Sequence, residues 1–143
     1  MVPNSLSHRR IDEMNARDVM NNPVIAASVA ASVREVATYM LLGGFSGLPV
    51  IGEDGSILGI VTELDIIRVL RSGRPLDTTL VSDVMTPDVI CVEPSTPVDQ
   101  VMRILDAEHI QRVPVVDSGR VVGVVSRPDI IRAAVNPQLS RVG

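Results

Sequence analysis

The sequence has no lysine and no tryptophan, one cysteine, and only two aromatic side chains, Tyr39 and Phe45. Each absence excludes something. Without Lys there is no Schiff-base chemistry and no phosphate loop of the GxxxxGK[ST] type. Two aromatics supply neither a set of stacking platforms for single-stranded nucleic acid nor an aromatic-lined groove for a sugar or a peptide. The 13 basic side chains, all Arg, are outnumbered by 17 acidic ones, for a net charge of -4 and a pI near 5.1. That balance argues against a polyanion partner such as nucleic acid. A single thiol, Cys91, makes no internal disulfide, so nothing points to an oxidising compartment. No apolar run approaches the roughly 20 residues of a membrane span, and no apolar stretch follows the polar start that ends in His8-Arg9-Arg10. The expectation is a cytoplasmic protein with no membrane partner.

What is present is a repeat. Asp18-Val19-Met20 recurs as Asp83-Val84-Met85, Val24-Ile25 as Val89-Ile90, and Leu48-Pro49-Val50-Ile51 as Val113-Pro114-Val115-Val116. One residue is then lost in a turn. Gly55 to Thr62 matches Gly119 to Ser126, and Asp65-Ile66-Ile67-Arg68 returns unchanged as Asp129-Ile130-Ile131-Arg132. About a third of the aligned positions are identical, over a period well above that of common solenoid repeats. The expected organisation is a tail at 1–15, units at 16–73 and 81–135, a linker at 74–80 with turn formers around it, and a tail at 136–143.

Each unit reads as strand, helix, strand, strand, helix. Val24 to Ala27 and its counterpart Val89 to Val92, which holds Cys91, are short β stretches. Val33, Val36, Ala37, Met40 and Leu41 follow helical spacing with one buried face. In the counterpart, Thr96 is expected as N-cap with Pro97 at the first helical position and Asp99 in the first turn. Hairpins turn at Gly52-Glu53-Asp54-Gly55 and at Asp117-Ser118-Gly119. Closing helices run over Glu63 to Leu70 and Pro128 to Val135, stopped by Ser72-Gly73 and by Asn136-Pro137. The fold class is α/β (α+β): two pseudo-twofold-related β-α-β-β-α units, each too small to bury a comfortable core alone and so expected to pack through their sheets.

The sharpest constellation lies where the last strand meets the last helix: Gly59-Ile60-Val61-Thr62-Glu63-Leu64-Asp65 and Gly123-Val124-Val125-Ser126-Arg127-Pro128-Asp129. One reading is a capping box, the hydroxyl capping the helix while the acid three residues on reaches back. The other is a ligand site. A carboxylate there accepts hydrogen bonds from the two hydroxyls of a ribose, and helix N–H groups nearby favour phosphate.

The doubled pattern Asp-Val-Met, Gly-Leu-Pro-Val-Ile and Gly-Ile-Val-Thr-x-x-Asp-Ile-Ile resembles a tandem pair of CBS domains, a Bateman module, from about Ala16 to Ala134. The resemblance implies two clefts between the units, binding adenosine-containing ligands such as AMP, ADP, ATP or S-adenosylmethionine, with ribose held by Thr62 and Asp65 or by Ser126 and Asp129. It implies that the Asp129 cleft takes Met20, Val24, Ile25, Phe45, Ser46 and Arg112. Arg127, directly after Ser126, is a second candidate phosphate contact. The mirror cleft takes Gly47, Thr62, Asp65, Met85, Val89, Ile90, Ile110 and Gln111. Arg112 offers a forked guanidinium suited to phosphate where Gly47 offers nothing, so the Asp129 cleft is expected to be the better site. His109 is close in sequence and able to assist.

Catalytic readings fail one by one. Leu48 stands where a nucleophile elbow needs Gly, and Gly43-Gly44-Phe45-Ser46-Gly47 precedes a strand instead of following one. Cys91 reads as an inert core thiol, two histidines (His8 and His109) make no zinc site, and the six Met read as core filler. No catalytic residue and no metal is expected. The reading is a regulatory CBS pair without an attached enzyme, acting in trans on an effector protein and forming a homodimer, as the resemblance implies. The alternative is a ligand-independent structural or stress-associated interaction module.

Overall fold

The computed structural model describes residues 10–21 and 24–135. The remaining tail residues, with His8 and the Asn136-Pro137 stop signal, lie outside the described residues. Asn15 opens the first short helix, α1 (Ala16–Val19), through a reciprocal cap with Asp18. After it come β1 (Ala27–Ser28), α2 (Val33–Gly43), β2 (Gly47–Ile51), β3 (Ile57–Thr62) and α3 (Glu63–Ser72). The second repeat supplies α4 (Val98–Ala107), β4 (Arg112–Asp117), β5 (Arg120–Ser126) and α5 (Arg127–Val135).

Local chemistry explains the boundaries. Ser32 caps α2 by accepting the Glu35 N–H at 3.1 Å, and Gly44 ends it in the left-handed region at φ 69°. Gly73, at φ 76°, closes α3 in the same way. The β4–β5 hairpin turns on Ser118 and Gly119, both with positive φ, as a two-residue turn matching strand twist requires. Both hairpins carry a register shift at the same place, between Val50 and Ile51 and between Val115 and Val116, so the duplication reaches the backbone irregularities.

Three expectations need correction. The first strand is Ala27–Ser28, pairing in parallel with Val50 and Ile51, and not Val24 to Ala27. Its counterpart is reduced to one parallel bridge, Val92 to Val115, so Cys91 is half-buried outside any strand. In α4, Pro97 is itself the N-cap residue, and the Thr96 hydroxyl accepts the Glu93 N–H at 3.1 Å. Proline has no N–H to donate and its fixed φ suits either position, so composition alone leaves the boundary one residue loose.

The chain forms two compact units that do not coincide with the repeats. One comprises Ile25–Val89 and contains the three-stranded sheet β1-β2-β3. The other joins the described residues up to Val24 to those from Ile90 onward and contains β4 and β5. In the first, Val36 and Met40 of α2, Leu48 and Val50 of β2, Val61 of β3, and Val81 close a core. In the second, Val98, Val101 and Leu105 of α4 pack with Val113, Val115, Val125 and Ala133, joined by Ala16 and Val19 of α1. These are mostly Val side chains, each contributing about 1.5–3 kcal/mol when fully buried.

Candidate functional site

The backbone explains why the Thr/Ser-x-x-Asp segments sit where they do. Gly47 pairs with Thr62 across β2 and β3, and Arg112 pairs with Ser126 across β4 and β5. The carbonyl of Ser46 then accepts the Glu63 N–H at 3.1 Å, and that of Gln111 accepts the Arg127 N–H at 3.0 Å. Each closing helix is therefore tethered at its first residue to the entry of its own hairpin.

In both repeats the motif forms a helix-capping arrangement. The Thr62 N–H and hydroxyl donate to Asp65 Oδ2 at 2.8 and 3.1 Å, and the Asp65 N–H returns to Thr62 Oγ1. This is a capping box. The Ser126 N–H and hydroxyl likewise donate to Asp129 Oδ2 at 2.8 and 2.7 Å. Yet the carboxylates are not solvated cap residues on a helix surface. Asp65 is 4% exposed and Asp129 2% exposed. A buried carboxylate needs donors on its second oxygen too. Arg68 approaches Asp65 Oδ1 at 3.5 Å, and Arg132 donates to Asp129 Oδ1 at 3.0 Å. The repeated Asp-Ile-Ile-Arg is thus an i,i+3 ion pair.

A further partner was missed by sequence reasoning. Asn21 donates its side-chain amide to both oxygens of Asp129, at 2.8 and 3.0 Å. Thr86, at the equivalent repeat position, donates to Asp65 Oδ1 at 3.4 Å. Backbone pairing fixes both: the Asn21 N–H donates to the Val124 carbonyl at 2.9 Å, while Thr86 and Ile60 exchange both bonds at 2.7 and 2.9 Å. The segment leading into each repeat therefore adds to the last strand of the other repeat.

The expected site residues divide as follows. Met20, Val24, Arg112, Ser126, Arg127 and Asp129 belong to one compact unit, with Ile90, Ile110 and Gln111. Thr62, Asp65, Gly47, Met85 and Val89 belong to the other, with Ile25, Phe45 and Ser46. Met20 and Met85 lie against Gly123 and Gly59, one on each hairpin. Arg112 is half-buried and its guanidinium donates to Gln111 Oε1 at 3.3 Å. Arg127 is exposed and donates through Nε to the Ile110 carbonyl at 3.2 Å. Ile25 and Ile90 are exposed apolar residues, and the Phe45 ring packs over Gly43. Around Asp65, an open cavity of about 360 Å³ is lined by Arg68, Arg74, Asp83, Met85 and Thr86, among others. Among the described residues, no group of three or more His, Cys, Asp or Glu is placed to hold a metal ion, and no helix is long and apolar enough to cross a membrane.

Comparison with known proteins agrees with this geometry. The crystal structure of a CBS domain pair, that of protein MJ0100 in complex with 5′-methylthioadenosine and S-adenosyl-L-methionine, superposes with a TM-score of 0.75 at 32% identity, covering 83% of this chain and 94% of that one. CBSX2 in complex with AMP gives 0.78 at 27% identity over 90% and 99%. Hypoxic response protein 1 of Mycobacterium tuberculosis is 28% identical over 118 residues, 82% of each chain. The chain spans only 25% and 22% of the length of two larger relatives from Methanocaldococcus jannaschii. The model of the CBS domain matches twice, at residues 16–72 and 81–136. Tandem repeat, buried Thr/Ser-x-x-Asp carboxylates and neighbouring structures converge, and the chain belongs to the CBS-domain family.

Proposed function

We propose that this chain is a regulatory, non-catalytic CBS pair that binds an adenosine-containing ligand (AMP, ADP, ATP or S-adenosylmethionine) at its Thr62/Asp65 and Ser126/Asp129 sites and signals in trans to an effector protein. The observation that carries the reading is the pair of buried carboxylates, each pinned on one oxygen by its own cap hydroxyl and N–H. Buried acids of this kind are acceptor-only groups suited to a vicinal diol. The relatives solved with AMP and with S-adenosylmethionine support the ligand class. Arg112, across the strand pair from Ser126, is proposed as the phosphate contact, with Arg127 beside it.

We also propose the boundaries 16–73 and 81–135 for the two CBS units, a cytoplasmic location, and a homodimer. The test of the ligand reading is thermal unfolding with AMP, ADP, ATP, NAD and S-adenosylmethionine in turn. A true ligand raises Tm, and Asp129→Ala or Asp65→Ala removes the part of the rise that belongs to its site.

A second reading, a ligand-independent interaction module, is favoured by one feature. Leu41 and Leu42 at the end of α2 are 84% and 82% exposed, with Tyr39 beside them at 60%. Large apolar groups clustered on one helix end mark an interaction surface. No shift with any of the five ligands selects this reading.

A further inference from the structure

The two carboxylates are equally buried but differently occupied. A carboxylate offers about four lone-pair positions. Asp129 fills them: Ser126 N–H and hydroxyl on Oδ2, Arg132 on Oδ1 at 3.0 Å, and the Asn21 amide bridging both oxygens. Asp65 has the same two cap donors on Oδ2, but its Oδ1 meets only long contacts, Thr86 at 3.4 Å and Arg68 at 3.5 Å. A diol that binds either acid must take the place of whichever donor is held least firmly.

We propose that Asn21 is a built-in competitor for the Asp129 carboxylate, so that diol ligands fill the Asp65 site first and the Asp129 site only by displacing the Asn21 amide. The inference rests on the ligand reading above. Ser126 and Arg132 cannot be the donors that yield. Ser126 N–H is fixed in the backbone at the end of β5, directly before α5, and Arg132 neutralises the buried charge from α5. Asn21 can yield: it is an exposed residue, and its place is kept by its backbone bond to Val124 while the amide swings away. Displacing a two-point, charge-assisted contact weakens the competing ligand far more than displacing the single long contact from Thr86. The order is the reverse of the one that Arg112 alone suggests. It also gives the duplicated module two thresholds from one motif, set by a single position that reads Asn in one repeat and Thr in the other.

The experiment is calorimetry of the full chain with AMP and with 2′,3′-dideoxy-AMP as probes. The Asp129 site is isolated in an Asp65→Asn background, and Asn21→Thr and Asn21→Ala are introduced there. Both variants are expected to tighten AMP about tenfold, the worth of one charge-assisted hydrogen bond, and to leave the dideoxy analogue unchanged. In the unaltered chain, Asp65→Asn is expected to remove the tighter of two binding events. Unchanged or weaker AMP binding in both Asn21 variants overturns the proposal and makes Asn21 a bystander or a ligand contact. If instead neither AMP nor any of the other four ligands binds, or binding is indifferent to both Asp65→Asn and Asp129→Asn, the ligand reading itself falls. Two Asn21 variants, each checked by its melting curve, keep a folding defect from passing as a binding effect.

Discussion

Met20 fills the space that a side chain on Gly123 needs: a Cβ built there lies 2.8 Å from Met20 Cγ. Gly59 and Met85 repeat the relationship, and there the Thr86 carbonyl also stands 2.9 Å from the added atom. These contacts dock the segment that leads into each repeat. Gly123→Ala is expected to lower stability by about 1–3 kcal/mol through overpacking. Gly59→Ala is expected to be the worse of the two, because a paired backbone carbonyl cannot step aside as a flexible Met does. Thermal unfolding of both variants checks this, and Met20→Ala should relieve part of the Gly123→Ala defect in a double-mutant cycle.

Thr62→Val keeps the β-branched shape on β3 but removes the hydroxyl that serves both the Asp65 N–H and the Asp65 carboxylate. The expected loss is about 1 kcal/mol, the usual worth of an N-cap. Denaturant midpoints measured at unchanged slope decide it. A loss below a few tenths of a kcal/mol means that the cap is not stabilising and only the ligand role is left for Thr62.

Burial separates two leucines that composition treats alike. Leu105 in α4 is 6% exposed, while Leu41 in α2 is 84% exposed. Leu105→Ala is expected to destabilise by about 2–5 kcal/mol, as core truncations do. Leu41→Ala should stay within about 0.5 kcal/mol in the isolated chain. A marked effect of Leu41→Ala on Tm that depends on protein concentration shows instead that a second copy covers it.

Cys91 gives the pH-dependent prediction. Half-burial strips solvent from the thiolate and pushes the thiol's pKa up. At a given neutral or mildly alkaline pH the fraction of thiolate is therefore smaller than in an unstructured peptide, and alkylation is slower. The sign for stability follows: the thiol's contribution is complete below its unfolded pKa and is lost as pH rises through the higher folded one. Iodoacetamide labelling rates across pH 7–10, native against urea-unfolded, check both. Native labelling as fast as unfolded labelling contradicts the burial.

Much of this architecture is written in local pattern. The helical spacing from Val33 to Leu41 and the strand pattern from Ile57 to Thr62 each declare one buried face, and both elements appear. The α2 face is narrower than expected: Val33, Val36 and Met40 are buried, whereas Leu41, expected with them, is exposed. The strand leading each repeat is not legible because its existence depends on a distant partner: Val92 holds a single bridge to Val115, and nothing in residues 89–92 tells how few will pair. At the site, spacing alone points to Thr62 with Asp65 and Ser126 with Asp129 as hydroxyl–carboxylate pairs, because hydroxyl and acid lie within one helical turn. Asn21 lies 108 residues from Asp129, and no local rule links them. Arg68 and Arg132 were within reach of such a rule, since an acid three residues before an arginine on a helix forms a pair.

The exchange of leading segments bears on what one repeat holds by itself. A bridge at Asn21 extends β5 and one at Thr86 extends β3, so each hairpin's last strand takes a backbone partner from the other repeat. A chain holding one repeat alone would lack the segment that bridges its last strand and would need a second copy to supply it. Cutting the present chain between its repeats leaves each fragment carrying the piece that bridges the other's last strand.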